Sequence, residues 1–376
     1  MTPKPGADVL VPEMALSHFL DFSRAIAAVL VLFFHIRSSL VVPFDSLEAH
    51  GWLTRGIFVI STFGHDAVII FFVLSGYLVG GAVLKMDVKS SSDLWEYWID
   101  RSIRIGPVLI AATVFSIVIQ RMTPSSGCAD SGVTVLGNAL GFQNFLVRPL
   151  CNNLPLWSIS NEVVYYFVFP VLIAAFSRVF TVWLAISLMG VALVCILSLR
   201  LAPLDDTNII FDFPFWLIGA ALWFVPGNYR RLRWLAVLAI AAALLFGRLE
   251  FGKTVFWFRD LFLTAAFSFL LVTFRDQPMP QSGVRATIAG YVTKCSRWFA
   301  ELSFSLYVTH YPLIRLYSYL NFGHHEARYA ALTPGIVLEL MGLVAFCIMV
   351  AFGFSVLFER PRRLFKQAIV RRLRTS

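Results

Sequence analysis

Charge is what this chain has least of. Asp, Glu, Lys and Arg make up 14% of its 376 residues, where a soluble domain typically carries about 25%. With 58% of residues hydrophobic and a mean hydropathy of +0.75, a water-soluble fold would expose more apolar surface than it could hide. Cysteine is sparse too, at five residues. Cys195 and Cys347 fall inside apolar runs and Cys295 in an inner loop, while Cys128 and Cys151 bracket one long loop expected on the outer side. That last pair forms a disulfide if its side of the membrane is oxidising, and stays as two thiols otherwise. Internal repeats, low-complexity tracts and a linker to a second domain are all missing. His324, His325 and Glu326 stand together without metal-ligand spacing, so no metal is expected. The first apolar run is followed by no small-residue cleavage site, so it reads as a retained span and not as a signal peptide.

What the chain has instead is apolar length. Windows of roughly 20 apolar residues, the length of a membrane-spanning helix, lie near 17–38, 58–84, 103–121, 159–177, 179–199, 208–226, 232–247, 255–274, 299–320 and 335–358. The expected fold class is therefore an all-α integral membrane protein, a bundle of about ten transmembrane helices. The transmembrane domain takes 17–363, between a tail at 1–16 and a basic tail at 364–376. With the N-terminus inside, Lys and Arg favour the cytoplasmic segments by roughly two to one. Both termini are thus expected in the cytoplasm. The net charge of +9 then reads as positive-inside bias, so no nucleic-acid partner is expected. The tail RPRRLFKQAIVRRLR also suits anionic membrane lipid.

Ionisable residues inside such runs are costly unless they have a task or a partner. In LDFSRAIAAVLVLFFH (20–35), Arg24 and His35 are eleven residues apart. At about 100° per residue they share a helix face, and at about 1.5 Å rise they lie roughly 16 Å apart along it. Histidine takes a proton from a hydroxyl near neutral pH, and arginine suits phosphate. The pair fits a donor with phosphates at one end and a reactive centre at the other; a snorkelling Arg24 held by Asp21 is the plainer alternative. In DRSIRIGP (100–107), Arg101 and Arg104 share a face at a helix start, a diphosphate clamp or ordinary anchors. His65 and Asp66 open GHDAVIIFFVLSGYLVG (64–80), where the carboxylate either orients an imidazole or rims the interface. Ser158, Glu162 and Tyr165 form a polar stripe in PLWSISNEVVYYFVFP (155–170), as do Ser303, Tyr307 and His310 in SFSLYVTHYPLIRL (303–316). Glu359 in FERPRR (358–363) reads as part of a helix stop at Pro361.

These segments, in this order from about residue 17 to 363, resemble the acyltransferase 3 family of multi-pass membrane O-acyltransferases. The resemblance implies an essential histidine at His35 with Arg24 as its partner, donor binding by Arg24, Arg101 and Arg104, and a catalytic carboxylate at Glu162. Asp66, Tyr165, Tyr307 and His310 are the residues expected to orient the acceptor or the histidine. HDAV departs from the glycine-rich approach common in the family, and the C-terminal hydrolase-like domain of some members is not seen. The implied reaction moves an acyl group, commonly acetyl and in some members succinyl, from acyl-CoA to a hydroxyl of a surface glycan or lipo-oligosaccharide at the bacterial inner membrane. A direct route and a transient acyl-histidine both stay open, as does the oligomeric state. The rival class is a transporter or flippase of a glycan or acyl group; the inverted repeats and paired broken helices common in transporters are not evident.

Overall fold

The computed structural model describes residues 15–86, 91–124, 129–176, 209–225, 228–249, 256–275, 277, 283–323 and 328–361. The expected span at 179–199, together with Cys128, Cys195 and His324–Glu326, lies outside the described residues.

An apolar solvent offers the backbone no hydrogen bonds, so an uninterrupted apolar run satisfies its own amides as a helix. The described chain is accordingly helical, with two isolated β-bridges, Val41 to Tyr329 and Gln143 to Val147, and no strand among the described residues. The helices are α1 (Ala15–Leu40), α2 (Trp52–Ser61), α3 (Gly64–Ser75), α4 (Gly81–Lys85), α5 (Ser91–Met122) and α6 (Gly132–Ala139). They continue as α7 (Trp157–Phe176), α8 (Ile209–Ala221), α9 (Arg233–Phe246), α10 (Phe256–Val272), α11 (Gly283–Phe322) and α12 (Pro334–Phe354). Among the described residues, five stretches are long and apolar enough to cross a membrane: Ala15–Leu40, Trp52–Leu84, Ser92–Met122, Leu154–Ala174 and Pro334–Glu359. Ile209–Phe224 is a shorter apolar helix. The window expected at 299–320 is only the second half of the 40-residue α11, whose first half exposes Val284, Ile288 and Tyr291.

The bundle is organised around α1, which packs most extensively on α11 and α3. Arg24 of α1 reaches Ser303 of α11, and further along His35 stacks near His310. The two helices therefore run parallel. Helix α3 runs the other way, with Gly64 at its start against Phe34 near the end of α1. Helix α12 is also antiparallel to α11: Glu339 meets Tyr317, and Glu359 beyond the helix meets Ser305.

Between α3 and α4 the chain takes a π-helical turn, Gly76–Gly80. A Cβ on Gly76 would overlap the carbonyl of Trp216, and one on Gly219 the carbonyl of Val73. Glycines on both sides let the α3 and α8 backbones touch, the usual solution where no hydrophobic effect drives helices together. Trp216 is fully buried there and donates its indole N–H to Ser75 Oγ at 3.1 Å. This crossing predicts that Gly76→Leu costs at least about 1–3 kcal/mol of stability. Gly342→Leu, where a new side chain meets open space, should leave thermal unfolding in detergent nearly unchanged. Equal melting shifts for the two variants would contradict the crossing.

Candidate active site

Two cavities lie inside the bundle. The first is lined by Arg24, Arg104, Glu162, Tyr166, Ser303 and Glu359, among others. Arg24 lies within hydrogen-bonding reach of Ser303 Oγ, at 3.5 Å, and feels the charges of Arg104, Glu162 and Asp21. Tyr166 donates its hydroxyl to Glu162 Oε1 at 2.8 Å. Its oxygen lies 3.0 Å from Ser75 Oγ, which already accepts from Trp216. An indole N–H only donates, so the chain has one polarity: Trp216 to Ser75, Ser75 to Tyr166, Tyr166 to Glu162. That chain holds the carboxylate at the wall of the cavity that Arg24 and Arg104 also line.

The second cavity is lined by His35 with Trp157, Tyr311, Arg315, Ser318 and Arg328. Tyr311 meets the His35 ring edge-on, with centroids 5.4 Å apart, and His310 lies at 5.1 Å. His310 Nδ1 is 2.7 Å from the Tyr307 carbonyl and 3.1 Å from that of Leu306. A carbonyl only accepts, so Nδ1 carries the hydrogen. This leaves Nε2 with a lone pair, buried and without a hydrogen-bond partner.

A thin wall divides the cavities. Ser158 and Tyr307 line the first, while Pro155 and Trp157 line the second. Tyr307 donates to the Pro155 carbonyl at 2.8 Å and lies 2.6 Å from Ser158 Oγ. Trp157 in turn lies against Phe72 of the first cavity, at 6.3 Å between centroids.

The expected residues are thus divided. Arg24, Arg104, Glu162 and Tyr307 line the first cavity and His35 the second, with His310 stacked behind it. Three expected residues lie elsewhere. Arg101 lies over the Tyr97 ring at 5.3 Å and 3.8 Å from Asp100, turned from the cavity that Arg104 enters. Tyr165 donates to the Ile209 carbonyl at 2.6 Å and packs on Phe213, because the next residue, Tyr166, takes the position one turn from Glu162. Asp66 pairs with Arg248 in a separate buried cluster, where His65 meets Asp260 at 2.9 Å and Asp260 meets Arg259 at 2.9 Å. Asp66 is therefore spent on Arg248 and does not orient His35. Glu359, expected to be structural, accepts from Ser305 at 2.8 Å and also faces the first cavity.

Some site residues carry no expectation from sequence. Tyr166 follows Glu162 by one helical turn and was legible by that spacing. Trp157 and Tyr311 sit beside residues of the polar stripes. Ser75 and Trp216, 141 positions apart, have no sequence signal that joins them.

Comparison with known proteins decides the family. Residues 17–360 match Acyl_transf_3, an acyltransferase domain. The chain belongs to this family. It is also similar to the peptidoglycan O-acetyltransferase OatA of Listeria monocytogenes serovar 1/2a (strain ATCC BAA-679 / EGD-e), with 25% identity over 347 residues. That similarity covers 79% of this chain and 49% of the relative, so the chain spans about half the length of the curated relative it matches. No solved structure matches. It is thus a member of an acyltransferase family, with helices long and apolar enough to cross a membrane.

The geometry separates neighbours that the sequence treats alike. Tyr166→Phe removes a hydrogen bond to a charged group, worth about 1.5–3 kcal/mol, and should lower acyl transfer by about tenfold or more. Arg101→Gln, outside both cavities, should stay within about threefold of the parent protein. Initial rates in membranes matched for protein content decide; the opposite ranking would contradict the site.

Proposed function

We propose that this protein transfers an acyl group from a cytoplasmic acyl-CoA to a hydroxyl of a glycan, with His35 as general base. The observation that carries the reading is the division of one helix face between two cavities: Arg24 opens into the first and His35 into the second. Coenzyme A carries phosphates at one end and a thioester at the end of a long flexible arm. Its phosphates fit the guanidinium groups of Arg24 and Arg104. From there the arm needs to cover roughly 16 Å of α1 to bring the thioester to the level of His35.

In this reading the acceptor hydroxyl gives its proton to a ring nitrogen of His35 as its oxygen attacks the thioester carbonyl. The new C–O bond forms, the C–S bond breaks, and the proton passes from His35 to the departing thiolate. In this reading the hydrogen-bonded Tyr307–Ser158 pair stands between the arginine cavity and the histidine cavity, so the thioester enters when that pair yields. Its neutral, hydrogen-bonded partners keep the two cavities closed at other times, which limits hydrolysis.

The acceptor class is argued from the relative, a peptidoglycan O-acetyltransferase by name, and acetyl is the donor group it favours. The orientation we propose is N-in and C-in in a bacterial inner membrane, with about ten spans. Its support is the parallel run of α1 and α11, and the presence of Glu359 and Arg24 in one cavity.

Labelled acetyl-CoA and a glycan acceptor, supplied to membranes, test this reading. His35→Ala should lower transfer by about 10²–10⁴-fold, the range of a lost general base. Arg104→Ala should raise KM for acetyl-CoA about tenfold through one lost charged contact. Undiminished transfer by a normally expressed His35→Ala protein would overturn the assignment.

A further inference from the structure

Helix α11 outruns the bundle it belongs to. Its second half packs on α1, where Arg24 reaches Ser303. Helix α1 begins at Ala15, nine residues before Arg24. The two helices run parallel, so the position on α11 level with Ala15 is nine residues before Ser303, at Lys294. Residues 283–293 therefore project roughly 16 Å past the start of α1, at about 1.5 Å per residue. The internal proline, Pro312, lies in the other half, so the projecting half continues the helix axis.

This projection carries an apolar line. Val284, Ile288 and Tyr291 are 76%, 58% and 75% exposed. Cys295 is exposed with a free thiol, and Trp298, at the foot of the line, is 39% exposed and stacks on Phe352 of α12. The five positions from Val284 to Trp298 recur at intervals of 4, 3, 4 and 3. That is the repeat of a helix covered by one other helix running alongside it, narrower than the stripe of a helix laid on a broad surface.

Orientation and charge decide what covers the line. A lipid surface takes a helix lying in its plane, whereas this half continues the axis of a helix that runs along α1 inside the bundle. The chain's own segment 362–376 holds six Lys and Arg and no Asp or Glu, and 283–300 holds Arg285, Lys294 and Arg297 and no Asp or Glu either. Those two segments repel. A second copy of the chain avoids both difficulties. Copies in one membrane point the same way, so the line meets itself in register about a two-fold axis along the membrane normal. Lys294 and Arg297 stand beside and behind the line at helical spacing, so two copies oppose apolar side chains and keep their cations apart. Two heptads are short for a coiled coil in water, but each helix is already held by its own bundle and the membrane confines the copies.

We propose that the projecting half of α11 is a homodimer seam, in which Val284, Ile288, Tyr291, Cys295 and Trp298 of two copies pack as a short parallel coiled coil. The inference stands apart from the acyl-transfer reading, because none of these five residues lines either cavity.

Cys295 reports on the seam, since in a parallel pair the two thiols face each other across the axis. Full-length protein in open membrane fragments is oxidised with copper phenanthroline and run on a non-reducing gel. We expect a dimer band that a reductant removes, that Cys295→Ser abolishes, and that Ile288→Cys restores in the Cys295→Ser background. Gly290→Cys in that background meets open space away from the line and should cross-link about tenfold less. Tyr291→Asp sets a charge in the seam and should lower the Cys295 yield about tenfold or more. Equal yields from Ile288→Cys and Gly290→Cys, or a Cys295 band untouched by Tyr291→Asp, indicate random collision and overturn the proposal. Absence of a Cys295 band overturns it too, and a maleimide then names the alternative. An unreactive thiol means cover from the same chain, and a reactive one means a face open to solvent or lipid.

Discussion

Placing charge in an apolar solvent is the cost around which this molecule is arranged. An unsatisfied polar group there costs several kcal/mol, so ionisable side chains within the bundle must find partners or a wet cavity. Both outcomes occur. His65, Asp66, Arg248, Arg259 and Asp260 neutralise one another in a cluster that touches α3 and α10. Arg24, Arg104, Glu162 and Glu359 instead face a common cavity. The same constraint explains the close crossing of α3 and α8 at Gly76 and Gly219, where small residues replace the hydrophobic effect as the means of packing.

Helix α1 turns this solvation problem into a reaction geometry. Its rigid rise sets Arg24 and His35 at different depths on one face, and the parallel α11 supplies a companion at each level. Ser303 stands beside Arg24, and His310 and Tyr311 beside His35. Between the levels, Tyr307, Ser158 and Pro155 form the partition. The two cavities are thereby set at different levels of the bundle.

The helical class and five of the ten expected span positions were legible, because a continuous apolar run in a bilayer has few structural alternatives. The Arg24–His35 relation was legible for a similar reason, since a single helix fixes its own geometry. Relations between helices were much less so. Arg101 and Arg104 look equivalent at their spacing, yet the rotation of α5 sends only Arg104 into the cavity. Asp66 looks like a partner for a catalytic imidazole until Arg248, 182 positions away, is seen to claim it. The length of α11 was also hidden, because its first half lacks the apolar density by which a span is recognised.

If acyl-CoA enters from the cytoplasm and the acceptor meets His35 from the other side, the arginine cavity and the histidine cavity open to opposite faces of the membrane. Sided cysteine labelling tests it most directly, using a membrane-impermeant maleimide on a protein stripped of its other free thiols. Arg104→Cys and Ser318→Cys place one thiol in each cavity. The account predicts that reagent reaches Arg104→Cys only from the cytoplasmic side and Ser318→Cys only from the opposite side. Labelling of both from the same side would contradict it.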